Sequence, residues 1–198
     1  MAAVLTRNSS DIKEISKFMD ECKRMGIQVL SPDVNESYRT FTVNKDGNIR
    51  FGLSAIKGMG VNAAENIILE REQNGPFKNI FEFICRVNLS MVNRKTIETL
   101  AFSGGFDSFS EIKRHQFAAT NKDGQTFVET LLSYGNKKQN DTVGSQSLFG
   151  EALADSVVTP EIPKAEEWPI LEVLSKEKEL IGMYLSSHPL DPYAFEIK

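Results

Sequence analysis

The run Leu53-Ser-Ala-Ile56-Lys57-Gly58-Met59-Gly60-Val61-Asn-Ala-Ala64-Glu-Asn-Ile67-Ile68 has the residue types and spacing to hold an anion. Leu53 and Ile56 end one apolar stripe, and Ala64, Ile67 and Ile68 continue another, so two helices are predicted to meet at Gly58 and Gly60. A turn this short needs positive φ, which glycine adopts without a Cβ penalty, and a missing side chain lets a partner come close to the backbone. Amides at the start of the second helix, from Met59 to Asn62, lack intrahelical acceptors and carry the positive end of the helix dipole. The peptide NH groups of Gly58, Met59, Gly60 and Val61, with the Lys57 ammonium beside them, would suit a phosphate. The same residues would also make an αα-hairpin that only shapes a core.

A looser copy follows. Asn93 is placed to cap a helix through Ser103 whose inner face is Ile97, Leu100, Ala101 and Phe102, and Gly104-Gly105-Phe106-Asp107 makes a second glycine turn. Gly104 and Gly105, with Arg94 and Lys95 nearby, are the candidates for a phosphate on the other strand of a duplex. The first turn resembles the helix-hairpin-helix clip for the DNA backbone, and the pair resembles its tandem form. Contacts of this kind position a protein without reading bases.

The elements around these turns fall into four stretches. Residues 1–53 read as a small α/β unit: a helix over 11–25 facing inward with Ile12, Ile15, Phe18, Met19, Cys22 and Met25, a strand at Ile27–Leu30, and a hairpin around Lys45-Asp46-Gly47. Residues 54–134 carry the two glycine turns, with a connecting helix over 78–87. Residues 135–167 are polar, then acidic, and read as a linker. Residues 168–198 hold a last amphipathic helix from Pro169 to Leu185, which Trp168 is expected to pin to the body, and a connector leading elsewhere. The expected fold is mainly α with a small α/β N-terminal unit and a tandem helix-hairpin-helix domain.

Charge narrows the function. Residues 1–140 carry 19 Lys and Arg against 16 Asp and Glu, while residues 141–198 carry 4 against 11, so the acidity behind the net charge of −4 belongs to the tail. A mildly basic body of this kind binds nucleic acid weakly and loses affinity steeply with salt. No apolar run approaches the ~20 residues that span a bilayer, and no signal peptide opens the chain, so the expectation is a cytoplasmic protein without membrane contact. Cys22 and Cys85 lie far apart on predicted helices, and only two histidines are present, so free buried thiols are expected and a metal site is not. Met1 leads straight into Ala-Ala-Val-Leu, which reads like the end of a helix begun earlier, so the chain reads as part of a longer polypeptide.

Taken in order, several segments resemble one family. They are Met19-Asp-Glu-Cys-Lys-Arg-Met-Gly-Ile27, Pro32-Asp-Val-Asn35, Arg50-Phe-Gly-Leu-Ser-Ala-Ile-Lys-Gly-Met-Gly60, Gly75-Pro-Phe77, Asn93-Arg94 with Ser103-Gly-Gly-Phe-Asp107, and Leu148-Phe-Gly150. Glu177-Lys-Glu, Gly182 and Tyr184-Leu-Ser-Ser-His-Pro-Leu-Asp-Pro-Tyr193 complete the set. The family is that of the bacterial replicative DNA polymerase III alpha subunits, the C-family polymerases. The resemblance implies a piece running from the end of the fingers through the tandem helix-hairpin-helix region. It also implies partners: double-stranded DNA, the sliding clamp and other replicase subunits. The family's catalytic carboxylates lie on a palm that would precede residue 1, so no catalytic residue and no cofactor are expected here, with magnesium expected for the parent. Asp33, Asp46 and Asp107 agree, being scattered through turns where aspartate is expected on backbone grounds.

The resemblance also implies a clamp peptide of the form Gln-x-x-Leu/Met-Phe at Ser145, Gln146, Ser147, Leu148 and Phe149. Ser145 stands at the expected glutamine position, or else Gln146 serves with one spacer fewer, while the Leu148-Phe149 anchor is kept. Two other readings compete. A repair glycosylase or lyase would need an Asp or Lys placed beyond the hairpin, but residues 61–80 hold no Asp and only Lys78. A helical protein-interaction module without DNA contact would show salt-insensitive partner binding.

Overall fold

The computed structural model describes residues 1–7, 12–144, 158–187 and 189–190. The residues expected to form a clamp peptide, Ser145, Gln146, Ser147, Leu148 and Phe149, lie outside the described residues. Eight α-helices and a three-stranded sheet are present among the described residues, so the chain is mainly α with a small α/β unit at its N-terminus.

Helix α1 (Ala2–Arg7) packs on α2 (Ile12–Arg24), which turns Ile15 and Cys22 fully inward, with Phe18 and Met19 half-buried between them. Those positions are three and four apart, the spacing of one helical face. Met25, expected on that face, is 58% exposed: α2 stops at Arg24, and the chain turns at Gly26 (φ 71°) directly after Met25. Three strands of two residues each follow: β1 (Val29–Leu30), β2 (Thr42–Val43) and β3 (Ile49–Arg50). The expected hairpin is the antiparallel β2–β3 pair, and β1 adds to the far edge of β3 in parallel, giving the order β1-β3-β2. Beyond the short ladder, the Leu53 and Ser54 amides donate to the Tyr38 and Arg39 carbonyls, which brings the chain to the first turn.

From there the molecule is helical. Helix α3 (Val61–Asn74) ends at Gly75 (φ 81°), α4 (Ile80–Arg86) begins where the Asn79 side chain accepts the Glu82 amide, and α5 (Arg94–Ser103) begins where Asn93 accepts from Thr96. Such caps satisfy one of the orphan donors that every helix start leaves. Helices α6 (Arg114–Phe117), α7 (Phe127–Gly144) and α8 (Ile170–Ile181) complete the chain. Helix α8 lies along α5, where Trp168 rests on Phe102 with ring centroids 5.4 Å apart and Lys176 Nζ covers both rings. One hydrophobic cluster joins Leu5, Phe51, Ile56, Phe83, Phe106 and Ile181, so the core continues across the boundary drawn at residues 53 and 54.

One expected linker is corrected: α7 runs through residues 135–144. Two polar or small residues explain why no hydrophobic period marks it. Gly135 is buried where α7 crosses α4, and a Cβ there would run into Ile84 Cγ2 and come within 2.9 Å of Leu89 Cδ1. Gln139 Nε2 sits over the end of α4, 2.9 Å from the Val87 carbonyl and 3.2 Å from those of Ile84 and Cys85. Gly135→Val should therefore destabilise the chain. Overpacking costs about 1–3 kcal/mol, against roughly 0.4 kcal/mol gained in helix propensity. A lowered urea midpoint is the expected result, and an unchanged one would contradict the close crossing.

Candidate nucleic-acid interface

Ile56 and Met59 are both buried, and the chain reverses between them at Gly58, whose φ is +88°. The segment entering the turn is one 3-10 turn (Leu53–Ala55) rather than the expected helix. Five residues separate Gly52 from the reversal at Gly58, and Gly52 itself is pressed against the Thr40 backbone, where a Cβ would lie 2.5 Å from the Thr40 carbonyl carbon. That leaves no room for the hydrogen-bonded ladder that makes a helix worth nucleating.

Past the turn, Gly60 is the N-cap of α3 with φ −72° and ψ 140°, ordinary extended backbone, so positive φ is required at Gly58 alone. Gly60 instead leaves open space: a Cβ there would meet nothing within 4 Å. With no side chain at the cap, the Gly60, Val61 and Asn62 amides find no acceptor among the described residues, and all three residues are exposed. The expected contribution of Met59 is corrected, since its amide donates to the Ile56 carbonyl at 3.0 Å and its side chain is in the core. The expected donors left without an acceptor among the described residues are the amides of Gly58, Gly60 and Val61, and Asn62 joins them.

The two expected lysines converge on this turn. Lys57 precedes Gly58 and is exposed, and the Lys95 side chain reaches over from α5, its Cε 3.5 Å from where a Gly58 Cβ would stand. Neither has an ion-pair partner among the described residues. Arg94 points the other way: its Nε pairs with Glu98 at 2.8 Å and its Nη1 with Glu129 of α7. The Glu98 carboxylate, with Glu129 behind it, raises the Arg94 pKa, and the Thr126 amide leads the interactions that lower that of Glu129. Arg94 is committed to the α5–α7 contact.

The second glycine turn is built differently. Gly104 (φ +91°) ends α5, the Gly105 amide donates to the Leu100 carbonyl at 2.7 Å, and the Gly105 carbonyl accepts from Val34 at 3.0 Å. Both glycines are buried, and the Gly104 amide turns back to Ala101. The donors expected to face phosphate here are spent inside the fold. Above Gly104 lies Arg114, so close that a Cβ would sit 2.5 Å from its Nη2. Arg114 binds Asp107 through Nε (2.9 Å) and Nη2, and reaches Glu177 of α8 through Nη1 at 2.8 Å.

Glu177 was not among the expected functional residues, though a signal for it is present: it falls between Leu174 and Ile181 on the inward stripe of α8. It is fully buried, and its two oxygens accept from Arg114, from the Ser186 hydroxyl, and from the Leu185 and Ser186 amides at 3.1 Å. Burial alone would raise its pKa; the Ser186 hydroxyl and Arg114 outweigh burial and hold it below the usual carboxylate range.

With this geometry described, comparison with known proteins is informative. A family model described as a helix-hairpin-helix motif matches residues 26–117. Over its whole length the chain is 38% identical to DNA polymerase III subunit alpha of Pasteurella multocida, 36% to that of Campylobacter jejuni and 34% to that of Escherichia coli K12. It spans about a sixth of the length of these relatives, 16% to 17%. No helix among the described residues is long and apolar enough to cross a membrane. By similarity over its whole length, and by a helix-hairpin-helix match over residues that include both glycine turns, the chain belongs to the family of bacterial DNA polymerase III alpha subunits, as kin of one segment of them.

Proposed function

We propose that the chain grips the backbone of duplex DNA, without reading bases, in support of replicative DNA synthesis. The observation that carries this is the open start of α3: the amides of the exposed residues Gly60, Val61 and Asn62 have no acceptor, and the flanking Lys57 and Lys95 have no ion-pair partner, among the described residues. A phosphate oxygen is the acceptor that such a donor set suits best, because the helix dipole adds to the peptide NH bonds. The Gly104–Gly105 turn supports the grip from inside the fold, and Arg94 braces α5 against α7. Template-directed synthesis belongs to this reading as an activity of the full polymerase. Magnesium would serve that reaction at the catalytic carboxylates of the full polymerase.

The sliding clamp and other replicase subunits are the proposed protein partners, with Leu148 and Phe149 as the clamp anchor. Adjacent apolar side chains in a polar stretch are the kind that fill a partner's pocket.

Two experiments test the reading. Gly60→Val should fold, because its side chain enters open space at an allowed φ, yet lose at least tenfold in duplex affinity by shielding the amides. Equal affinity would rule out the hairpin as the contact. Lys57→Ala with Lys95→Ala should flatten the dependence of log affinity on log salt by about 2, at about 0.9 per phosphate lost. An unchanged slope, or no duplex binding by the parent chain, would favour a protein-interaction module instead. For the clamp, Leu148→Ala with Phe149→Ala should abolish retention on a clamp column, and undiminished retention would contradict the anchor.

A further inference from the structure

We infer that Glu177 is a positioning residue for the phosphate-binding turn: it fixes α8, and α8 holds the turn through a peptide bond at Lys57. This deepens the DNA-contact reading and rests on it. Among the described residues, the Lys57 amide to the Leu180 carbonyl, at 2.8 Å, is the one backbone hydrogen bond tying residues 57–62 to a distant element. Leu180 lies in the last turn of α8, where a carbonyl has no intrahelical donor left to meet. Lys57 therefore takes the place of the missing turn, and the direction in which α8 ends sets how the Lys57 peptide is held. Gly58 follows immediately, so the same bond sets the plane of the reversal that aims Gly60, Val61 and Asn62 outward.

What sets α8 is Glu177, one turn before Leu180. Its carboxylate gathers donors from two directions: Leu185 and Ser186, which follow the Gly182 reversal, and Arg114, which is anchored on Asp107 at the second turn. Every partner is a donor, and both oxygens are engaged. A glutamine of the same shape would have to set its NH2 against either the Arg114 guanidinium or the Leu185 and Ser186 amides, none of which can accept, so the position calls for a carboxylate. The chain of contacts runs from the buried glycines at 104 and 105, through Asp107, Arg114 and Glu177, to Leu180 and Lys57. The second turn, its own amides consumed, thereby holds the first one in place. The segment that leaves α8 at Leu185 and Ser186 is bound to the same carboxylate, so whatever displaces that segment acts on the DNA-contacting turn as well.

The test compares the 198-residue chain with Glu177→Gln and the milder Ser186→Ala, by amide hydrogen exchange and by binding of a fluorescent 20-base-pair duplex at one salt concentration. In Glu177→Gln the Lys57 amide should exchange at least tenfold faster while Phe83 in α4 and Val87 at its C-terminal cap keep their rates, and duplex affinity should fall at least fivefold. Ser186→Ala should move both readings the same way by less. Unchanged Lys57 protection in both variants overturns the inference. So does protection lost at Lys57 and α4 together in Ser186→Ala, which would mark mere stability, and so does faster Lys57 exchange with undiminished affinity. If the parent chain binds no duplex, the DNA-contact reading fails by itself, and the exchange rates still decide the Glu177–Lys57 coupling.

Discussion

Two buried side chains three residues apart govern the exposed surface. Ile56 and Met59 are both drawn into the core, and only Lys57 and Gly58 lie between them, so the chain must reverse within two residues. Glycine at positive φ is what permits that reversal. The next residues emerge with their peptide groups facing out and begin a helix whose cap has no side chain to occupy its amides. Hydrophobic burial thus produces an open polar end, and the lysines at 57 and 95 give that end its sign.

The two glycine turns share a sequence style and diverge in use. At the first, Gly60 keeps space clear in front of donors that have no acceptor among the described residues. At the second, Gly105 is tucked under Leu100, its amide and carbonyl both bonded, and Gly104 makes room for Arg114. Glu177 is fully buried beside Arg114, so taking the arginine away would leave a buried carboxylate without its ion-pair partner, a loss of about 3–5 kcal/mol. The pair consequently fixes α8 with little tolerance, which suits a joint better than a ligand site. One turn faces outward, and the other carries the load.

Much of this was legible in the sequence where local chemistry decides the outcome. The helix from Arg94 to Ser103 begins at its asparagine cap and ends at its glycine as read, because both signals act within four residues. Gly58 was legible for the same reason. The failures are long-range. Whether the Gly104 and Gly105 amides face solvent depends on Leu100 and Val34 closing over them, and Val34 is some seventy residues away in the chain. The first half of α7 reads as helix over 126–134, but its continuation through 135–144 was hidden because the packing there uses Gly135 and Gln139, neither of which adds to an apolar period. Glu177 shows the intermediate case. Its place between Leu174 and Ile181 marks it as buried, but its donors come from α6 and from beyond Gly182, which periodicity does not reveal.

The most direct measurement is a titration of the isotope-labelled chain with unlabelled duplex, followed amide by amide in nitrogen–proton correlation spectra. The account predicts that Gly60, Val61 and Asn62 shift first and furthest, while Gly104 and Gly105 stay near their free positions. Large shifts at Gly104 and Gly105 with residues 60–62 undisturbed would contradict it.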